Sequence, residues 1–468
     1  MNIGKASSRL FASSGLSKII YLGATAFFAS HYGPKNIGSF YLFESILIFT
    51  ALFADLGIKG GIQKRISEEG NGSEKLSAGI LIKSTSILAT SLAILLLEKR
   101  VAGYIGVDKI LIVIIAVICH NLYDTTVLVL RGEKQIDKSA NVLLINRFLW
   151  FSVGFIFAAS GYSIIAIFVS YIIGLIVSSL YGIWHISTGL SIPSKQAFVS
   201  IVTYARFNLI SSVSGFAFGW LDVAMLGILA DQTAVGLYET AWRSTGAIAI
   251  VSSALANTLF PAISEKASRK EFEEVSSLVT ESLFASLYIA IPGVIGMILV
   301  AEGILVVIFG PEFTGAVTIL TILALHRLLL SVNSIVGQAL HAIDLPNKAA
   351  IASLIGTVAN IVLNYVFILE FGAVGAAIAT VSAYLINTVL HYRFLSEEIP
   401  LYFSSEFLQL LPYSLVIVGV TLLGNEIIDS NSALGLTLVI SASGLLYFVV
   451  TLTSTPIRSK LLQLWRTA

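Results

Sequence analysis

What most constrains this chain is a succession of about fourteen apolar runs, each about 20 residues long, the length a helix needs to cross the hydrocarbon of a bilayer. Within lipid, every backbone N–H and C=O must find its partner inside the protein, so such runs fold as helices. The first half gives Leu10–Ala29, Gly38–Gly57, Leu76–Leu97, Ile110–Leu130, Ser139–Ser160 and Ser163–Trp184. The second gives Ser200–Leu229, Thr233–Phe260, Ser276–Ala301, Ala316–Ala342, Asn347–Leu369 and Ala373–Phe394, and Phe407–Asn425 and Ala433–Thr453 close the chain. Only 12% of residues are charged and 56% are hydrophobic; a soluble domain carries about 25% charge. The expected fold class is therefore all-α and integral to the membrane.

Lysine and arginine collect on alternate loops. One side holds eighteen, Lys5, Arg9, Lys59, Lys64, Arg65, Lys75, Arg131, Lys134, Lys138, Lys195, Lys266, Arg269, Lys270, Lys348, Arg393, Arg458, Lys460 and Arg466, while the other has only Lys35, Lys99, Arg100 and Lys109. By the positive-inside rule this places both termini in the cytosol of a cell membrane. No cleavable signal peptide pattern is present. The outer loops are short, which argues against an enzyme working outside the membrane. The segment Lys59–Lys75 is expected to be a flexible cytosolic tip, in which Asn71-Gly72-Ser73 would stay unglycosylated.

An internal repeat sets the domain plan. Ile37-Gly38 opens the second span and Val235-Gly236 the eighth; Lys138-Ser139-Ala140 echoes Lys348-Ala349-Ala350; Gly161 echoes Gly372. Two six-helix lobes are expected, 1–186 and 200–395, joined by a cytosolic connector 187–199 and followed by two further helices and a tail, 396–468. Transporters commonly hold their substrate between such repeats.

The chemistry lies in charges at bilayer depth. Each costs roughly 2.5–3.5 kcal/mol on insertion scales and survives where it faces protein, water or a ligand. Tyr204–Pro261 carries Arg206, Asp222, Glu239 and Arg243. Lys18, Arg147, Arg243 and Arg327 are the candidate cations for an anionic substrate such as a phosphate or diphosphate, since arginine pairs with phosphate oxygens through charge-assisted hydrogen bonds. Lys83 and Arg206 are shallower and are expected to snorkel to the cytosolic interface. Glu44, Asp124, Asp222 and Glu239 are candidate coupling or pairing acids; Glu239 and Arg243 share a helix face at i, i+4 and can simply neutralise one another. Tyr204, Tyr238 and Trp242 are candidate sugar contacts. The small residues Ser211, Ser212, Ser214, Gly215 and Gly219 suit either close helix packing or a sliding wall.

Other classes find little support. There is no phosphate-binding Gly-rich loop, no His/Cys cluster with metal spacing, and one cysteine, Cys119, in an apolar run. The six histidines are scattered. A net charge of +1 gives no reason to expect nucleic acid. No cofactor is expected; coupling to H+ or Na+ is left open.

Tyr32–Ile58 (YGPKNIGSFYLFESILIFTALFADLGI) and Val235–Ser264 (VGLYETAWRSTGAIAIVSSALANTLFPAIS), with Phe309–Leu325 and Phe371–Ile386, resemble the polysaccharide-export and lipid-linked oligosaccharide flippase family (Wzx-like) of the multidrug/oligosaccharidyl-lipid/polysaccharide exporter superfamily. The resemblance covers nearly the whole chain. It implies fourteen helices in two pseudo-symmetric six-helix lobes around a central cavity, plus two C-terminal helices, and alternating access. It also implies cations on helices one and eight and an acid on helix two, the places of Lys18, Arg243 and Glu44. The function so implied is passage of a lipid-linked oligosaccharide, on a polyprenyl phosphate or diphosphate, from the cytosolic to the outer leaflet. The product would serve O-antigen, capsule, exopolysaccharide or protein glycan synthesis. Membrane lipids and glycan assembly proteins are the other partners expected of a monomer. The alternatives are an ion-coupled exporter of small cationic compounds and a membrane glycan ligase or polymerase.

Overall fold

The computed structural model describes residues 3–55, 57–67, 72–401, 405–429 and 431–467; for 3–12, 14, 206–218, 405–406 and 462–467 the helix is described and the side chains are not. Among the described residues the protein is all-α, without a strand. Among the described residues eleven helical stretches are long and apolar enough to cross a membrane, so this is a multi-pass membrane protein.

The chain divides into two compact units, Met1–Gly236 and Leu237–Ala468. Unit 1 runs through α1 (Ile3–Asp55), α2 (Ile58–Ser67), α3 (Gly72–Leu96), α4 (Glu98–Ile105), α5 (Ile110–Gly132), α6 (Ile136–Ala159), α7 (Ile165–His185), α8 (Lys195–Leu229) and the first residues of α9 (Gln232–Thr245). Unit 2 holds the rest of α9, a 3-10 turn at Gly246–Ala249, then α10 (Ile250–Ser268), α11 (Phe272–Leu299), α12 (Ala301–Phe309), α13 (Val317–Ala342), α14 (Pro346–Ser396), α15 (Ser405–Ile427), α16 (Ala433–Thr453) and α17 (Thr455–Thr467).

Two of these helices fold back on themselves. In a continuous helix, residues 21 and 44 would stand roughly 34 Å apart, yet the Tyr21 hydroxyl donates to Glu44 Oε2 at 2.5 Å. The reversal is at Gly33-Pro34, where Gly33 takes φ 76°, a left-handed value that glycine adopts without steric cost. In α14, Gly372 at φ 56° does the same, and a Cβ on Gly356 would lie 2.8 Å from Asn387 Cβ on the returning limb. The first and second expected spans, and the eleventh and twelfth, are thus tight helical hairpins. The expected span Thr233–Phe260 is broken at Gly246–Ala249 into α9 and α10.

One expectation is corrected. Ile58–Ser67 is a helix and not part of a flexible tip, because Ile58 and Ile62 are apolar and pack with Leu76, Leu128, Val129, Ile201 and Ala205. Residues 68–71 lie outside the described residues.

Unit 1 is centred on Trp150, which is fully buried. Its ring meets Tyr21, Phe28, Phe40 and Tyr171 at centroid distances of 5.2, 5.4, 5.1 and 5.8 Å. These rings come from both limbs of α1 and from α6 and α7, so the aromatic core fixes those helices to one another, each ring pair adding about 0.5–1.5 kcal/mol beyond its buried area.

Candidate functional site

Three clusters of charge are built inside the two units. The first lies in unit 1, beside Trp150. Arg147, one turn before Trp150 on α6, lays its guanidinium 4.3 Å from the centre of the Tyr21 ring and 6.0 Å from that of Trp150. Its Nη1 is shielded from solvent and has no hydrogen-bond partner among the described residues. Glu44 is 4% exposed, is held by Tyr21, and contributes to the electrostatic field at Arg147. Lys18 is exposed. It precedes Tyr21 by three residues on α1, and residues so spaced share a helix face. The structure thus gathers Glu44 and Arg147 around Tyr21 in unit 1, with Lys18 exposed one helical turn before Tyr21. The cation–π contacts, worth about 0.5–2 kcal/mol, compensate part of the charge and leave donors of the guanidinium fork uncommitted.

The second cluster lies where α2, α3 and α5 meet. Lys59 Nζ stands 3.1 Å from Asp124 Oδ2. Burial works to lower the Lys59 pKa; the Asp124 and Asp55 carboxylates outweigh it and hold the ammonium above its ordinary value. Lys83 is 3% exposed and lies in the field of the same two acids. It does not snorkel, because α2 covers this end of α3: Ile58 and Ile62 press on Gly79, one turn before Lys83. Lys64 sits 5.1 Å above the Tyr204 ring and ties α2 to α8. Asp124 therefore stabilises one partly exposed and one buried cation. In Asp124→Asn a fall in thermal midpoint in detergent is expected, since Lys59 loses its partner and buried Lys83 keeps only Asp55 of the two acids in its field. Lys83→Met in that background should recover much of the loss; no recovery would show that Lys83 draws its compensation elsewhere.

Unit 2 contains the third. On α9, Arg243 Nε donates to Glu239 Oε2 at 2.8 Å, with the two side chains 15% and 5% exposed. Tyr238 is 1% exposed and its hydroxyl lies 3.2 Å from Thr380 Oγ1. The Trp242 ring is 4.1 Å from the Arg327 guanidinium carbon and 5.0 Å from the His326 ring. Arg327 is 7% exposed and donates to the Thr245 hydroxyl at 3.0 Å and to the Trp242 carbonyl at 2.7 Å. His326 is 1% exposed, packs on Tyr384 at 4.4 Å, and neither ring nitrogen has a hydrogen-bond partner among the described residues. Asp222 is half-buried on α8; the Arg206 side chain, and those of Ser211, Ser212, Ser214 and Gly215, lie outside the described residues.

Sequence reasoning missed Lys59, Lys83 and His326 as parts of these clusters. Lys59 carried a signal, standing four residues after Asp55; Lys83 carried only its place in an apolar run, since its acids come from other helices. His326 carried none beyond its place next to Arg327.

Cations kept among aromatic rings in a multi-pass helical fold suit a membrane protein that handles a polar or charged cargo. The sequence pattern of the family described as "Lipid II flippase MurJ" matches residues 86–443. The chain is 35% identical to the probable low-salt glycan biosynthesis flippase Agl15 of Haloferax volcanii over 460 residues, 98% of this chain and 97% of that one. It is 26% identical to the probable flippase AglR of the same organism, covering 85% and 84% of the two chains. The solved structure of the lipid II flippase MurJ in an inward closed conformation superposes with a TM-score of 0.79 at 18% identity, over 95% of this chain and 98% of that one. An inward-facing multidrug resistance MATE transporter of the MOP superfamily gives 0.64 at 14% identity, over 84% and 98%. This chain belongs to the MurJ lipid II flippase family.

Proposed function

We propose that the protein moves a lipid-linked oligosaccharide, carried on a polyprenyl phosphate or diphosphate, from the cytosolic to the outer leaflet by alternating access. A polar head otherwise has to cross about 30 Å of hydrocarbon. The observation that carries this reading is the buried Arg147 edge with no partner among the described residues, in a chain whose relatives are flippases. Arg147 contacts the phosphate, with Lys18 a second cation of unit 1; in unit 2, Arg243 and Trp242 are by themselves a cation and an aromatic surface of the kind a phosphosugar binds. Arg327, whose Nε and Nη2 are held by the Thr245 hydroxyl and the Trp242 carbonyl, is not among the contacts. The Lys and Arg asymmetry supports a cell membrane location with cytosolic termini. The glycan biosynthesis named for the Haloferax relative supports a sugar-bearing cargo within the polysaccharide-export branch.

A cation exporter would need carboxylates available for exchange. Here Glu44 is bound to Tyr21, Asp124 to Lys59 and Glu239 to Arg243, which favours an anionic cargo. The test is reconstitution in sealed vesicles with a polyprenyl-phosphate sugar loaded on one leaflet, read by the fraction open to an impermeant sugar oxidant on the other. Exposure dependent on the protein supports the proposal; equal exposure in protein-free vesicles rejects it.

A further inference from the structure

The eighth crossing is not one helix. α9 stops at Thr245, four residues follow as a 3-10 turn, and α10 starts at Ile250. Such a break inside a membrane span loosens the i to i+4 ladder, and the carbonyls of the last α-helical turn then need other donors. Trp242, in that last turn, receives the Thr245 hydroxyl at 2.9 Å and Arg327 Nη2 at 2.7 Å on its carbonyl oxygen. Arg327 Nε donates to the same Thr245 hydroxyl at 3.0 Å. The three groups form a closed ring of hydrogen bonds, and the guanidinium also lies over the Trp242 face at 4.1 Å.

This arrangement explains how a cation survives here with 7% exposure and no carboxylate in salt-bridge contact among the described residues. The C-terminal end of a helix carries roughly half a negative charge. Arg327, coming from α13, places its positive charge on the C-terminal end of α9. The ring of Trp242 adds its negative face.

We infer that Arg327 is a positioning residue, a clamp that holds the break between α9 and α10 and so fixes the direction in which α9 presents the Glu239–Arg243 pair. Gly246, the first residue of the break, has open space where a side chain would be, so crowding at that residue does not impose the break. The clamp does. Its consequence for transport rests on Arg243 being a phosphosugar-binding cation, as proposed above; the clamp itself does not.

The experiment uses the full-length protein with spin labels at Leu237 and Thr258, on either side of the break within unit 2, and compares Arg327→Gln, Arg327→Lys and Thr245→Val. Thr245→Val removes the hydroxyl that accepts from Arg327 and donates to the Trp242 carbonyl, with little change of shape, and keeps the test open if Arg327→Gln does not fold. The expected result is a shifted and broader label-to-label distance distribution in Arg327→Gln and Thr245→Val as the break loosens, with Arg327→Lys between them and wild type. In sealed vesicles the same variants should lose at least tenfold in maximal flipping rate, with the half-saturating lipid concentration within twofold of wild type. An unchanged distance distribution in both Arg327→Gln and Thr245→Val overturns the clamp. A tenfold rise in half-saturating concentration with the maximal rate kept shows instead that Arg327 touches the cargo.

Discussion

In Gly38→Ala protein, α1 and the start of α9 are expected to part by more than an ångström, with a large fall in thermal midpoint. An alanine Cβ at residue 38 would sit 1.8 Å from the Gln232 carbonyl oxygen, and real Cβ contacts essentially never fall below 3.0 Å. The obstacle is backbone and cannot rotate away. The contact is reciprocal: a Cβ on Gly236 would lie 2.0 Å from the Pro34 carbonyl oxygen. Each glycine thus rests on the residue four places before the other. Glycine is what lets membrane helices approach this closely, and at this range Cα–H groups reach carbonyl oxygens. Gln232 is itself anchored, donating to the Gly103 and Tyr104 carbonyls at 3.0 and 3.1 Å. Overpacking of this sort costs about 1–3 kcal/mol and sometimes more. Gly236→Ala should match Gly38→Ala, and the double variant should cost clearly less than their sum, because both methyl groups need the same gap. Small, additive effects in a thermal-unfolding double-mutant cycle would show that the two backbones do not meet in the working protein.

The second large effect is expected at Arg147. Arg147→Gln should reduce flipping about thirty-fold, since losing the charged member of a desolvated contact costs on the order of 2 kcal/mol or more. Arg147→Lys keeps the charge and loses the planar fork, so it should retain part of the rate. Folding should respond in the opposite sense. A buried, incompletely paired cation is a cost to the fold, so Arg147→Met should keep or raise the thermal midpoint while transport falls. A variant that loses stability and flipping together would mark Arg147 as a structural residue of the aromatic core.

Much of the fold was legible because membrane burial imposes a simple rule: apolar runs of sufficient length become helices. The repeat glycines Gly38 and Gly236 could be matched by offset, but not their mutual contact, which depends on how distant helices pack. The hairpins at Gly33 and Gly372 read from sequence only as spans with a short gap. α2 was misread because two glycines and a run of charge resemble a loop, whereas Ile58 and Ile62 find an apolar surface supplied by α3, α5 and α8. For the site, charge at depth draws attention to Arg147, Arg243 and Arg327, but spacing does not say what each guanidinium touches. Arg243 has its neighbour Glu239 written four residues away. Arg327 finds a carbonyl and a hydroxyl 85 and 82 residues distant, and no local pattern announces that.

The central claim is that a protein-held cation selects a negatively charged lipid head. The measurement that bears on it most directly compares two cargoes in sealed vesicles, a polyprenyl-phosphate sugar and the uncharged polyprenyl glycoside with the same chain and sugar. The charged lipid should cross and the uncharged one should not, and Arg147→Gln should bring the charged lipid down toward the uncharged rate. Equal crossing of both lipids by the wild-type protein would contradict the claim.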